Sequence, residues 1–213
     1  LWRIAITEEL RRRTPERARQ LGYPTNDKLP LLDAVDEFRG LQEATDRLLC
    51  LYSVVACSYG FSKEKAQAWL VREGVDGALS ESDRLYLEMS PDSGPDTSRQ
   101  WQVEALWALA WCVSCHDELD FSDSCSDAFS QMLPVSAKDA ATGSFRESLS
   151  LRDKQVVLEK ADLAYCLHWA IRDAEIKGQR VPGKVPGNVV VERRRALEWM
   201  ISRDGWDEVQ LDT

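Results

Sequence analysis

The sequence predicts an all-α fold built as one domain over residues 1–213. Apolar residues recur at helical spacing in almost every segment, and no run sustains the two-residue alternation of a half-buried strand. Residues that cap helices, and glycines that end them, stand at matching positions. With 213 residues and 44% hydrophobic content, the chain can bury a substantial core.

The first half of the chain predicts short helices separated by glycines. Thr14 and Pro15 have the cap and first-turn chemistry of a helix start, and Gly22 ends that element. Arg11-Arg-Arg13, near the start of the chain, is expected to be a solvated face balanced by neighbouring acids. The elements that follow are a helix over 41–58, a short helix after Ser62 and a helix opened by Ser80-Glu-Ser-Asp83.

The middle of the chain is less regular. Residues 90–97 combine proline, serine and aspartate and predict a loop, and a helix is expected from Ser98 to about His116. Residues 117–150 are polar, with one short helix predicted near 124–132. We expect this segment to be an irregular, mobile insertion.

The last quarter carries the strongest helical pattern. A long helix over about 150–177 begins with the capping sequence that starts at Ser150. Its apolar residues surround most of its circumference, so it is expected to be central and enclosed by other helices. A turn-rich connector leads to a C-terminal helix over about 189–203.

Composition limits the function classes. Asp and Glu number 36 against 27 Lys and Arg, which gives a net charge of -9. Nucleic acid is not an expected partner, because contact with phosphates needs a basic surface on the protein. The expected partner is a protein with a basic surface. Solubility alone accounts for the same charge. No apolar run is long enough to span a membrane, and most of the six cysteines lie in apolar segments, as reduced thiols of a cytoplasmic protein do.

One cysteine pattern suggests a cofactor. Cys112-Val-Ser-Cys115-His116 has the spacing that attaches c-type haem, and Cys125 adds a fourth potential zinc ligand. The pattern follows an apolar run inside a predicted helix, and no second well-spaced pair completes a tetrahedral set. Core cysteines are therefore the favoured interpretation, and no metal or cofactor is predicted.

The two C-terminal helices hold the main candidates for a functional site. Asp162 and Asp173 lie along one side of the long helix, with Trp169 among them. Arg193 and Arg194 on the next helix are expected to be their counter-charges. A structural ion-pair network is the favoured interpretation, and a polar ligand pocket is the alternative.

His168 and Glu104 extend that alternative to catalysis. His168 lies on the apolar stripe of the long helix, where a core histidine is favoured over a general base. No nucleophile elbow, phosphate loop or zinc helix accompanies it. In the enzyme hypothesis, His168, Asp162 and Glu104 are the catalytic candidates.

Residues after the last helix complete the candidate set. Trp206 and Asp207 stand beyond the predicted helix end, and Trp206 is expected at a surface groove. Both are candidate binding residues.

Several of these blocks resemble a known family when taken together. They are the Arg-rich opening before Gly22, Leu29-Pro30, Arg47-Leu-Leu, Ser80-Glu-Ser-Asp83, Trp101-x-x-Glu-Ala-Leu-Trp107, Asp162-Leu-x-Tyr-x-Leu-His-Trp169, Glu192-Arg-Arg-x-Ala-Leu-x-Trp199 and Trp206-Asp-Glu with Asp212-Thr213. In this order they resemble the bacterial family called Domain of Unknown Function 4272. The resemblance implies an α-helical fold and supplies no mechanism.

These observations favour an acidic helical protein-binding module without catalysis. One concrete form is an immunity or antitoxin protein that neutralises a basic bacterial toxin, since opposite charge speeds such an encounter. The competing hypothesis is an enzyme or small-ligand binder that uses Asp162, His168 and Arg193 or Arg194 between the two C-terminal helices.

Overall fold

The computed structural model describes residues 2–32, 38–89, 96–134 and 140–213. Every long regular element in these ranges is an α-helix, which confirms the all-α prediction. The helices are α1 (Trp2–Gln20), α2 (Leu41–Ser58), α3 (Lys63–Arg72), α4 (Glu81–Glu88), α5 (Thr97–Trp101), α6 (Val103–Cys112), α7 (Gly143–Ser148), α8 (Lys154–Ile176) and α9 (Gly187–Ile201). Short 3-10 turns stand at Asp76–Ala78, Phe129–Met132 and Trp206–Glu208.

The centre of the fold is formed by α6, α8 and α9. Helix α9 packs against both α6 and α8, α1 packs on α8, and α2 packs on α6. The main apolar core draws on all five helices, and a smaller core around Trp69 lies beneath α2, α3 and α4. The long central helix and the C-terminal helix are confirmed to within a few residues. The capping sequence predicted to start the helix at Ser150 is displaced by three residues: Asp153 caps α8, because its carboxylate accepts hydrogen bonds from the backbone N–H groups of Gln155 and Val156.

The helix predicted from Ser98 to His116 is wrong in two respects. It is divided at Gln102 into α5 and α6, and α6 ends at Cys112. Ser114 has a positive φ of 57°, and the N–H of Cys115 reaches back to the carbonyl of Ala110 at 2.9 Å, so the chain turns sharply. Cys115 and His116 therefore lie outside the helix.

The N-terminal element is one continuous helix with Pro15 inside it, so Thr14 is not a helix cap. The side-chain hydroxyl of Thr14 is buried and turns instead toward α8. The adjacent Arg11 is also largely enclosed, so the solvated face predicted for Arg11-Arg-Arg13 is wrong at its first residue.

The segment after α6 contains little regular structure up to α7. Residues 117–127 form an irregular loop, a 3-10 turn at Phe129–Met132 replaces the short helix predicted near 124–132, and α7 is an element that the sequence did not predict. Most of the loop predicted at 90–97 lies outside the described residues. No described helix combines the length and the apolar character needed to cross a membrane.

Candidate functional site

The carboxylate of Asp162 is bound by α1 and not by α9. Nη2 of Arg11 donates to Oδ1 at 2.6 Å, Nε donates to the same oxygen at 3.0 Å, and the hydroxyl of Thr14 donates to Oδ2 at 2.5 Å. Arg11 also donates to the carbonyls of Leu29 and Pro30 at 2.8 and 2.9 Å. The predicted pairing of Asp162 with Arg193 or Arg194 is therefore wrong, because the counter-charge of this carboxylate is Arg11.

Arg193 pairs with Glu104 in the core between α9 and α6. Nε and Nη2 of Arg193 donate to Oε2 of Glu104 at 2.9 and 2.7 Å, and the two side chains are 1% and 2% exposed. The other oxygen of Glu104 accepts from the backbone N–H of Cys125 at 2.9 Å. Arg193 also donates to the carbonyls of Asp120 and Asp123. This pair thus joins two helices and fastens the loop above them.

Arg194 holds His168 and the C-terminal segment together. Its Nη1 meets Nδ1 of His168 at 2.6 Å, and it also donates to the carbonyls of Leu211 and Asp212 at 3.1 and 2.9 Å. Because arginine stays protonated, Arg194 is the donor and Nδ1 the acceptor, which leaves the proton of neutral imidazole on Nε2. Burial, followed by the charges of Arg194 and Arg172, lowers the pKa of His168 to about 4.

The remaining candidates on α8 lie outside these contacts. Asp173 pairs with Lys177 of its own helix at 2.7 Å and meets no arginine of α9. Trp169 is partly buried against the main core. The residues predicted as one cluster are thus divided among separate contacts: Asp162 with α1, Glu104 with Arg193, and His168 with Arg194. Each contact joins different helices, and breaking either of the two buried ion pairs, Asp162 with Arg11 or Glu104 with Arg193, costs about 3–5 kcal/mol.

Sequence reasoning missed a further buried ion-pair site around Asp83. This carboxylate is 0% exposed and accepts from Nη1 of Arg47 at 2.5 Å and from Nη1 of Arg99 at 2.8 Å. It also completes the capping box of α4 with Ser80. The capping motif was recognised, whereas the second role of Asp83 was not. The available signal was Arg47, a single cation ahead of the apolar run of α2.

Arg47 leads from this site to a groove. Its guanidinium lies over the ring of Trp206, 4.1 Å from the ring centroid, and Trp206 contacts Trp199 edge to face. All three residues line a groove of about 750 Å³, together with Gly74, Val75 and residues 77–80. Trp206 is only 5% exposed, so its ring is buried at the groove and not displayed on the surface.

Asp207 fixes the segment that carries Trp206. Its carboxylate accepts from the backbone N–H of Ser82 at 2.9 Å and from the Ser82 hydroxyl at 2.7 Å. Burial alone would raise the pKa of Asp207, but these hydrogen bonds outweigh it and lower the pKa. Asp207, a predicted binding residue, therefore ties the C-terminal segment to the start of α4.

In the loop over 117–127, the carbonyl groups of Asp117, Leu119, Asp120 and Asp123 accept hydrogen bonds from side chains, as does that of His116 just before the loop. Arg152 donates to the carbonyl of His116 at 2.7 Å, and the indole N–H of Trp111 donates to that of Asp117 at 3.2 Å. Lys160 donates to Leu119, and Arg193 binds the two carbonyls described above. The exposed acidic residues of the loop are Asp117, Glu118, Asp123 and Asp127. These hydrogen bonds fix the backbone of the loop, while the four acidic side chains are exposed to solvent.

A depression of about 340 Å³ lies beside this loop. Its lining includes the acids Asp117, Glu118, Asp120 and Asp123, the rings of Trp107 and His116, and Arg193, whose charge is paired with that of Glu104. The two aromatic rings are stacked, with centroids 3.6 Å apart, and a ring nitrogen of His116 meets the carbonyl of Trp107 at 2.9 Å. Burial is the main cause that lowers the pKa of His116, so the imidazole is neutral at pH 7.

The cysteines form no common site. All six are free thiols, and burial raises the pKa of Cys112 to about 12, against thiolate formation. Across the described ranges, no three His, Cys, Asp or Glu side chains are placed to share a metal ion. His116 stacks on Trp107 and contributes to the acidic depression instead.

The fold and these contacts define an all-helical protein whose helices are joined by buried arginines. The chain belongs to the family described as domain of unknown function (DUF4272), whose family model matches residues 10–209. This match confirms the resemblance of its motifs. No curated protein and no solved structure matches the chain.

Proposed function

We propose that this protein is a non-catalytic binding module that recognises a partner protein with a basic surface through the acidic loop 117–127. The observation that carries the proposal is the inward anchoring of this loop by Arg152, Trp111, Lys160 and Arg193. An ordered loop loses little conformational freedom when a partner binds, so more of the contact energy appears as affinity.

The charge of the loop supports a cationic partner. Its eleven residues contain five acids and no Lys or Arg, within a chain whose net charge is -9. Concentrated charge of one sign speeds the encounter with an oppositely charged surface and discriminates against acidic proteins. A basic protein is therefore the partner that this surface fits.

The depression beside the loop suits one side chain of that partner. Trp107 and His116 offer stacked aromatic rings, and the surrounding carboxylates offer acceptors. A guanidinium or ammonium group gains from both, through cation–π attraction and charge-assisted hydrogen bonds. A Lys or Arg of the partner would occupy the depression as the central contact.

An immunity or antitoxin protein that covers the active site of a cationic bacterial toxin in the cytoplasm is the concrete form of this proposal. Inhibition by coverage requires a rigid acidic surface and no catalytic group. The contacts of the three catalytic candidates support a non-catalytic role. The acceptor atoms of His168, Asp162 and Glu104 are bound by Arg194, Arg11 and Arg193, respectively.

The test is a tagged pull-down from native cells at low and high salt, with mass spectrometry of the bound proteins. A loop variant carries Asp117→Asn, Glu118→Gln, Asp123→Asn and Asp127→Asn. The matched control neutralises four exposed acids elsewhere, through Glu16→Gln, Glu64→Gln, Glu88→Gln and Glu147→Gln. Each variant loses four negative charges, so the two differ only in where those charges are removed.

We expect one stoichiometric basic partner that binds the natural protein and the control, is released at high salt, and is lost with the loop variant. Capture of no partner at low salt would refute the proposal. Equal loss with both variants would also refute it, because binding would then follow net charge and not this surface.

A further inference from the structure

We infer that the groove beside Arg47 and Trp206 binds the oxyanion of a small organic acid or phosphate ester, and that Arg47 is the residue that receives it. The inference concerns a different face of the protein from the acidic loop, and it does not depend on the function proposed for that loop.

The first argument is the incomplete hydrogen bonding of Arg47. Its side chain is 2% exposed, and Nη1 donates to Asp83 and to the carbonyl of Ala78. No described residue accepts a hydrogen bond from Nε or Nη2. Buried guanidinium donors almost always have acceptors, so these two nitrogens call for one. Adjacent donors of one guanidinium match the two oxygens of a carboxylate or phosphate.

The second argument is the charge around Asp83. This carboxylate accepts hydrogen bonds from both Arg47 and Arg99, whereas Arg99 also forms an ion pair with Asp96 at 3.9 Å. The two acids on the groove wall are already engaged, Asp46 by Arg146 at 2.7 Å and Glu43 by Arg39. An anion entering the groove would therefore meet Arg47, which shares the Asp83 carboxylate with Arg99, and two acids that are already paired with arginines.

The third argument is the shape of the groove. Its volume of about 750 Å³ is that of a small-molecule site. Trp199 and Trp206 provide apolar surface, and the lining glycines Gly74 and Gly77 leave their backbone uncovered. A Cβ added at either glycine would meet no atom within 4 Å. The groove thus places aromatic surface and open backbone beside a buried arginine that has two unpaired donors, which suits a small molecule with one anionic end.

The experiment measures binding of inorganic pyrophosphate and of citrate by isothermal titration calorimetry at constant ionic strength. Two variants at Gly77, in the 3-10 turn on the groove wall, test the position. Gly77→Glu adds a carboxylate to the lining of the groove and leaves residue 47 unmutated. Gly77→Gln adds a neutral side chain of the same size. Arg47→Lys provides a third variant, which keeps the charge beside Asp83 and removes the paired donors.

We expect saturable binding of at least one probe to the natural protein. Gly77→Glu should weaken it about tenfold relative to Gly77→Gln, because the added charge repels the anion across the groove. Arg47→Lys should weaken it by a similar factor, and the four-site loop variant should bind as the natural protein does. Tighter binding of pyrophosphate assigns a phosphate ligand, and tighter binding of citrate assigns a carboxylate.

Absence of saturable binding by both probes would overturn the inference and leave water as the acceptor for Nε and Nη2. Equal affinity of the Gly77→Glu and Gly77→Gln variants would also overturn it, because the anion would then bind elsewhere. Since the two Gly77 variants leave Arg47 and Asp83 intact, this comparison stands even if Arg47→Lys fails to fold.

Discussion

The guanidinium of Arg194 donates to Nδ1 of His168 at 2.6 Å, so a cation and a neutral imidazole are held side by side in the core. Protonation of His168 would remove the acceptor and place two positive charges in contact. The histidine that the sequence offered as a general base is thus committed to a structural hydrogen bond.

This contact predicts a loss of stability at mildly acidic pH. The pKa of His168 in the folded protein, about 4, lies below its ordinary value of 6.5, so the unfolded chain binds the proton more tightly. Stability is complete above about pH 6.5 and falls as the pH drops toward 4. We expect His168 to account for about 2 kcal/mol of the decrease in unfolding free energy between about pH 7 and pH 5. Urea unfolding across this range measures it.

His168→Asn is the comparison variant, because the amide oxygen can replace Nδ1 as an acceptor without titrating. Its unfolding free energy should vary less with pH than that of the natural protein. Parallel pH curves for the two proteins would contradict the assignment, since His116 and the carboxylates titrate in both.

Removal of the charge of Glu104 should destabilise the fold and loosen the acidic loop. Glu104→Gln leaves the guanidinium of Arg193 buried without its counter-charge, and we expect a loss of about 3–5 kcal/mol in denaturant unfolding. The amide of Cys125 donates to Glu104, so its hydrogen exchange should accelerate more than that of amides in α8.

The exposed pair of Arg13 and Glu9 is the control for this prediction. Its side chains are 68% and 62% exposed, and Arg13→Ala should change stability by less than about 0.5 kcal/mol. Similar losses from Glu104→Gln and Arg13→Ala would show that burial of the Glu104 pair contributes nothing.

Arg11 and Asp162 should show strong energetic coupling across α1 and α8. Either Arg11→Met or Asp162→Asn leaves a buried polar group without its partner, so each single variant should lose about 3 kcal/mol. The double variant leaves no uncompensated charge, and its loss should be smaller than the sum of the two by about 1–3 kcal/mol. A double-mutant cycle in urea tests this, and strictly additive losses would mean that the two side chains do not act together.

Gly183 should tolerate no side chain. Its φ is +87°, and a Cβ added there would overlap the ring and hydroxyl of Tyr23. Gly178 also has a positive φ, +62°, but its Cβ would meet open space. Gly178→Ala should therefore cost about 1 kcal/mol from backbone conformation alone, whereas Gly183→Ala should cost clearly more. Thermal unfolding of the two variants gives the comparison, and equal midpoints would refute the close approach of Tyr23.

Local sequence was sufficient to place helices and insufficient to place their contacts. The bounds of α2, α8 and α9 follow to within a few residues from apolar spacing and from helix-end signals, which involve residues a few positions apart. Asp162 and Arg11 are separated by 151 positions, and only the packing of α1 on α8 brings them together. Several arginines were available for each acid, and spacing alone cannot rank them.

The candidate site shows the same division. Arg193 and Glu104 were identified from charge in apolar surroundings, and both prove to be buried, but their role in fastening residues 120–125 depends on a turn after α6 that the sequence did not predict. Asp83 was hidden by a local explanation, since its capping motif accounted for it. Because the capping box of α4 already explained an aspartate at position 83, the local sequence did not indicate that Asp83 also pairs with Arg47 and Arg99.

Three buried contacts join earlier residues to residues in the last quarter of the chain. Arg11 depends on Asp162, Arg47 stacks on Trp206, and Glu104 pairs with Arg193. On the ribosome, each early residue emerges well before its partner, so the nascent helices carry unmatched charges until the last quarter of the chain has been made. These contacts, and the helix packing that they join, can therefore form only after α9 and Trp206 have been synthesised.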